Sequence, residues 1–256
     1  MTNNVQVSGI NLNIVERGSG RALLFLHGGD GLGPNRPWLE ALARQFRVIA
    51  PYHPGWGGSQ LPRWMNSVDD LAYLYLDLAA QYGLKNAILV GSSFGGWIAA
   101  EMLVRDGSRF GQAVLAAPFG CKFGPRTVRE ITDMHAVDQE KLRALLWADP
   151  ALGVVNYPGK SDEELTHIVQ GREAFALFGW KPYMHNPRLV HWLHRIKTQT
   201  LLLRGAADGI VSEAYMRNWA EKLPNARQAT LAGAGHYPHW EQPIAFASQV
   251  AGAAKP

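Results

Sequence analysis

The chain has 256 residues, 47% of them apolar and 18% charged, which is enough for a buried core in one large domain and too little charge for a disordered chain. Basic residues number 25 and acidic residues 21, a net charge of +4 with no run of Lys or Arg to track phosphates, so nucleic acid is not an expected partner. Cys121 is the single cysteine and cannot close an internal disulfide, the chain opens without a signal-peptide pattern, and no apolar stretch nears the ~20 residues of a membrane helix. A cytoplasmic location with no membrane partner is the expectation, and Cys121 reads as a small buried hydrophobe.

Two short runs, residues 5–7 and 12–15, flank Ser8-Gly9 and predict an antiparallel hairpin at the sheet edge. Six further apolar runs follow, at 23–26, 48–51, 87–90, 113–116, 201–204 and 228–231, each ended by Gly, Pro or Asp and each expected to run parallel to the others. Helical patterns lie between them, at 37–44, at 68–82 behind Ser67 with Asp70 three residues on, at 94–105, at 213–223, and at 244–254 behind Pro243. This alternation predicts an α/β fold, an eight-stranded mostly parallel sheet with helices on both faces. Between Pro118 and Thr198 the strand rhythm stops; helix formers at 140–147 and 162–178 and many aromatics predict an inserted helical cap rather than a loop. The expected division is a core of residues 1–119 and 195–256 and a cap of residues 120–194.

The strand at 87–90 runs into Gly91-Ser92-Ser93-Phe94-Gly95-Gly96 and then a helix, so Gly-x-Ser-x-Gly falls on a strand-to-helix turn with Ser93 at its apex. Such a turn leaves little space for side chains at its flanks and drives the central residue into strained backbone geometry, its oxygen directed out of the sheet. Ser92 precedes the apex and would point away; the bland alternative for Ser93 is a helix N-cap. A serine hydroxyl needs a base, and that base an orienting group. Asp208 follows the strand at 201–204 and His236 follows the last strand, within Gly235-His236-Tyr237-Pro238-His239-Trp240, where His239 is the rival imidazole.

The order Ser93, Asp208, His236, each just past a strand, with His27-Gly28-Gly29 after the third strand, resembles the α/β-hydrolase fold family over nearly the whole chain. The resemblance implies a nucleophile at Ser93, a general base at His236, an orienting acid at Asp208, and an oxyanion hole of two backbone amides. One amide would be that of Phe94 and the second that of Gly29, with Asp30 as the alternative. The Gly-His match favours His236 over His239, while His27 reads as a structural imidazole bonding backbone. The Gly-rich segment from His53 to Ser59 is similar to a family turn on the same sheet edge, with Trp56 either lining the pocket or packed within the turn. Asp30 departs from the small or apolar residues usual after His-Gly-Gly. It must point away, pair with Arg36 or another cation, or recognise a cationic or hydroxylated part of the substrate.

The expected chemistry is hydrolysis of a small to medium, partly apolar or aromatic carboxylic ester, with no cofactor and no metal site. The nine histidines show no metal-ligand spacing. Trp147, Phe175, Phe178, Trp180 and Tyr183 are placed to roof the cleft, with Asp30, Tyr237 and Trp240 as further candidates for substrate contact. Serine at the apex argues against the dehalogenases and epoxide hydrolases of this fold, which carry Asp there. Two other readings stay open: a carbon–carbon bond hydrolase of ring-cleavage products, and a ligand receptor that keeps the triad. A small-molecule substrate is the expected partner, and a homo-oligomer is neither required nor excluded.

Overall fold

A computed structural model describes residues 2–33 and 35–253. The hairpin comprises β1 (Thr2–Val7) and β2 (Ile10–Arg17), joined by Ser8 and Gly9, both at positive φ (48° and 81°). That pair of left-handed residues makes the two-residue turn whose twist matches antiparallel strands. β1 starts three residues earlier than the apolar pattern, because Thr2, Asn3 and Asn4 pair with Val15, Ile14 and Asn13; partner hydrogen bonds override the weak strand preference of Asn at an edge.

The chain continues through β3 (Ala22–Leu26), α1 (Pro37–Ala43), β4 (Arg47–Pro51), α2 (Val68–Gln81), β5 (Ala87–Ser92), α3 (Phe94–Arg105) and β6 (Phe110–Ala116). The remainder of the core follows later, as β7 (Gln199–Gly205), α7 (Glu213–Lys222), β8 (Ala226–Leu231), α8 (Pro238–Glu241) and α9 (Pro243–Ala253), with three further helices between β6 and β7. Residue 254, the last of the helix expected from the sequence, lies outside the described residues. The sheet order is β1-β2-β4-β3-β5-β6-β7-β8, antiparallel at β1–β2 and β2–β4 and parallel from there on.

Because β3 is buried on both sides, its run Ala-Leu-Leu-Phe-Leu is continuously apolar, and alternation sends successive residues to different cores. Leu24 and Leu26 belong to the core that also holds Tyr75, Ile98 and Trp219 of α2, α3 and α7. Leu23 and Phe25 pack with Trp38, Leu42 and Phe246 of α1 and α9. Helix α2 opens on a capping box: Ser67 accepts from the Asp70 amide (3.2 Å) while Asp70 accepts from the Ser67 amide (3.0 Å).

Between β6 and β7 lie α4 (Gln139–Leu146), a 3-10 turn at Pro150–Gly153, α5 (Asp162–Gly179), and α6 (Leu189–Trp192) continuing into a 3-10 turn at Leu193–Arg195. Ser161 and Glu164 cap α5 reciprocally. This layer is tied to the core by polar contacts as well as apolar ones. Glu101, buried in α3, accepts from Trp97 Nε1 (3.1 Å), Arg105 Nη1 (2.6 Å) and Asn186 Nδ2 (2.8 Å), so its charge is compensated and one of its partners comes from the inserted layer. No described helix is long and apolar enough to cross a membrane.

Candidate active site

Ser93 sits between β5 and α3 with φ 54° and ψ −114°, a conformation that costs about 1–3 kcal/mol in a non-glycine residue. The surroundings impose it. The Ser93 amide bonds Ala116 O of the neighbouring strand (2.7 Å), and its carbonyl accepts from Gly96, Trp97 and Phe119 (3.0, 3.2 and 3.1 Å). A Cβ on Gly95 would lie 2.1 Å from Leu26 O, and one on Gly91 would lie 2.3 Å from Gly95 O, so helix and sheet approach this closely only with glycine at both flanks.

Ser93 Oγ lies 2.8 Å from His236 Nε2, and His236 Nδ1 lies 3.0 Å from Asp208 Oδ2. All three side chains are buried. The other carboxylate oxygen, Asp208 Oδ1, accepts from the amides of Ile210 (2.8 Å) and Val211 (3.0 Å), which fixes the carboxylate plane. Arg204 holds the loop from beneath, donating to the carbonyls of Asp208 (2.7 Å) and Val211 (3.0 Å). The His236 ring stacks on Phe119, with centroids 5.3 Å apart.

A second brace comes from the C-terminal end of α4 and the residues just after it. Leu145 O accepts from the Gly209 amide (2.9 Å) and Leu146 O from the His236 amide (2.7 Å), so one strap touches both the acid loop and the histidine loop. Glu241 closes it, accepting from the Gly235 amide (2.5 Å) with one oxygen and from the Ala148 and Asp149 amides (2.7 and 3.1 Å) with the other. Neither Glu241 nor the strap is foreseen from the sequence, because no local spacing marks them.

His239 is excluded from this constellation. It is buried among Phe25, Trp38, Tyr237, Trp240 and Phe246, and neither ring nitrogen has a hydrogen-bond partner among the described residues. Burial pushes its value down to about 3, which keeps it neutral. His27 is structural: its Nε2 accepts from the His53 amide (3.0 Å), so Nδ1 carries the proton and donates to Gly28 O (2.6 Å). Burial outweighs that bond and holds His27 down at about 3. His53 donates in turn from Nε2 to His27 O (2.9 Å), stiffening the loop that carries Gly28 and Gly29.

Phe94 opens α3, where the first N–H groups have no intrahelical acceptor, and among the described residues neither its amide nor that of Gly29 is bonded to another protein group. No other described residue engages the Asp30 amide either, so both sequence alternatives for the second donor stay open.

Aromatics form one wall. Phe94 meets Phe175 (5.4 Å between centroids), Phe178 (6.3 Å) and Trp56 (6.1 Å), and Trp56 stacks on Phe178 (6.5 Å). Trp56 is therefore both buried in its turn and part of this wall. Trp147 lies over Tyr237 (5.4 Å), on the histidine side. Trp180 corrects the sequence expectation: it is half exposed and packs on His135 and Tyr183. Phe175 and Phe178 share a helix face, whereas Trp180, two residues beyond Phe178, is turned by about 200°. Tyr183 is likewise engaged elsewhere, its hydroxyl bonding the Met134 amide (2.9 Å) and Thr132 O (3.2 Å). A cavity of about 980 Å³ opens between this layer and the N-terminal end of α2, bordered by Trp97, Phe178 and Trp180. Ser93, Asp208 and His236 do not line it.

Asp30 neither points away nor pairs with Arg36. Its Oδ2 accepts from Trp240 Nε1 (2.8 Å), while Arg36 donates to the Tyr52 hydroxyl (2.6 Å). Asp30 is an exposed residue, with Trp240 packed against its carboxyl. Desolvation pushes it up to about 7 against the opposing effects of the Trp240 bond and of His236.

The model of the "Alpha/beta hydrolase family" matches residues 23–249. The chain is 30% identical over 228 residues to a poly(3-hydroxyalkanoate) depolymerase of Ectopseudomonas oleovorans, covering 81% of this chain and 76% of that protein. It is 26% identical over 270 residues to a 2-hydroxymuconate semialdehyde hydrolase of Pseudomonas sp. (strain CF600), covering 95% and 90%. Among solved structures, a meta-cleavage product hydrolase from Pseudomonas fluorescens IP01 superposes with a TM-score of 0.75 at 20% identity, covering 97% and 95% of the two chains, a likeness of fold. The chain belongs to the alpha/beta hydrolase family.

Proposed function

We propose that this chain is a serine hydrolase that cleaves a small to medium, partly apolar carboxylic ester through an acyl-enzyme on Ser93. The observation that carries the reading is the unbroken line from Ser93 Oγ to His236 Nε2 (2.8 Å) and from His236 Nδ1 to Asp208 Oδ2 (3.0 Å). With Asp208 accepting at Nδ1, the imidazole keeps Nε2 unprotonated and facing the hydroxyl. Ser93 Oγ adds to the ester carbonyl carbon while its proton passes to Nε2. The amides of Phe94 and of Gly29 or Asp30 stabilise the oxyanion, and the imidazolium returns the proton to the leaving alkoxide as the carbon–oxygen bond breaks. Water then attacks the acyl-enzyme with His236 as base, releasing the acid and restoring Ser93. The wall of Phe94, Phe175, Phe178 and Trp56 gives the acyl group an apolar surface and keeps bulk water from the oxyanion.

Carbon–carbon hydrolysis of a ring-cleavage acid is the second reading, favoured by the likeness to the 2-hydroxymuconate semialdehyde hydrolase. Asp30 speaks against it, since its Oδ1 and Ser93 Cβ face the same glycine, Gly28, and an ionised carboxylate there repels the carboxylate of such substrates. The test is kcat/KM for p-nitrophenyl butyrate against a dienone acid, together with fluorophosphonate labelling of Ser93. Ester turnover exceeding dienone turnover supports the proposal; the reverse order moves the assignment to carbon–carbon cleavage. Labelling without turnover of either points to a receptor.

A further inference from the structure

The segment after Gly29 is a tight loop in which Gly31 bonds back to Gly28 O (3.2 Å) and Gly33 adopts φ +63°. A Cβ at Gly33 would lie 2.4 Å from Trp240 Cη2, so the indole is laid against the loop and its direction is fixed. Its Nε1 donates to Asp30 Oδ2. The other oxygen stays on the cleft side: a Cβ placed on Gly28 would meet Asp30 Oδ1 at 2.6 Å, Ser93 Cβ at 3.2 Å and Tyr237 Cε1 at 3.2 Å. Asp30 Oδ1, Ser93 and Tyr237 thus converge on one glycine.

Among the described residues no cation lies within ion-pair distance of Asp30. A carboxylate beside the place where negative charge develops opposes ester cleavage unless something donates to it. The protein supplies one donor, Trp240, to one of the two oxygens. The remaining oxygen has the acceptor capacity for a donor brought by the substrate.

The two walls differ in chemistry. Phe175 abuts Gly29 on the side of Phe94, Phe178 and Trp56, while Asp30, Tyr237 and Trp240 form the side shared with His236. His236 hands its proton to the leaving oxygen, so the alcohol half of an ester belongs on the histidine side and the acyl half against the phenylalanines. Resting on the esterase reading, we infer that Asp30, oriented by Trp240, is a specificity-determining residue that accepts a hydrogen bond from a hydroxyl on the alcohol half, so that the preferred substrates are apolar acyl esters of diols or polyols.

The experiment compares kcat/KM for ethylene glycol monobutyrate with that for propyl butyrate, which has the same size and lacks the terminal hydroxyl. A parallel pair, methyl β-hydroxybutyrate against methyl isovalerate, places the hydroxyl on the acyl half. The wild-type enzyme should prefer the glycol ester on the order of 10- to 100-fold and show a ratio near one for the acyl pair. Asp30→Ala should bring the glycol ratio to near one, with Asp30→Asn in between because its carbonyl still accepts. A wild-type glycol ratio near one, a ratio unchanged in Asp30→Ala, or a preference confined to the acyl pair overturns the inference. The wild-type ratios decide even where a variant fails to fold. Fluorophosphonate labelling of the wild type keeps the two levels apart: a labelled, ester-cleaving enzyme with a flat ratio removes only the role of Asp30, whereas an unlabelled Ser93 removes the esterase reading itself.

Discussion

Asp208→Asn isolates the orienting acid with little disturbance of shape. In the wild type, Oδ1 takes two amides, from Ile210 and Val211, and Oδ2 takes His236 Nδ1. An asparagine whose carbonyl keeps the two amides must turn its NH2 toward Nδ1, which then has to accept rather than donate. The proton moves to Nε2, so the imidazole presents a donor to Ser93 Oγ across the 2.8 Å contact and has no lone pair to take the hydroxyl proton. Loss of the correct tautomer should lower kcat on the order of 10⁴-fold, about 5.4 kcal/mol of barrier. Fold stability should fall by no more than about 1–2 kcal/mol, because the backbone contacts persist. Steady-state hydrolysis of p-nitrophenyl butyrate and a thermal melt measure both. A kcat within tenfold of wild type refutes the argument, and a collapse of the melt alongside lost activity reassigns Asp208 to the scaffold.

Two further outcomes follow from contacts outside the three central side chains. Glu241→Ala removes the acceptor shared by the Gly235, Ala148 and Asp149 amides and should lower kcat about tenfold while accelerating amide exchange at His236, with Glu241→Gln intermediate; unchanged exchange and rate would show that the strap does not position the imidazole. His27 and His239 are held neutral by burial at about 3 against 6.5 when unfolded, so stability is fully present above pH 6.5 and is lost as the pH falls from there toward 3. Each should remove about 2 kcal/mol between pH 7 and pH 5. Denaturant midpoints at the two pH values should differ less in His239→Phe, and an identical pH dependence in that variant would refute the assignment.

Local chemistry made the architecture readable. Runs such as residues 23–26, apolar throughout because both faces of the sheet are covered, mark the parallel strands, and the glycines around Ser93 mark a turn that sterics permit no other residue to make. Ser67 with Asp70 marks the start of α2 by a bond spanning three residues. What stayed hidden depends on contacts between distant segments. Asp30 meets Trp240 across 210 positions and Ala148 meets Glu241 across 93, and neither pair leaves a periodic trace. Trp180 shows the same limit from the other side: composition puts an aromatic in the cap, but its helix phase and the seating of α5 on Phe94 decide that Phe175 and Phe178 face the cleft while Trp180 faces out. His239 lost to His236 for a packing reason, since α8 turns its ring into the apolar cluster between Trp38 and Phe246.

The most direct test of the account is intact-protein mass spectrometry after treatment with a fluorophosphonate, with peptide mapping of the adduct. A single phosphonyl group on Ser93, lost in Ser93→Ala and slowed at least a thousandfold in His236→Ala, is the expected result. An adduct on Ser92 or on another nucleophile, or a Ser93→Ala protein that still hydrolyses p-nitrophenyl butyrate at the wild-type rate, would contradict it.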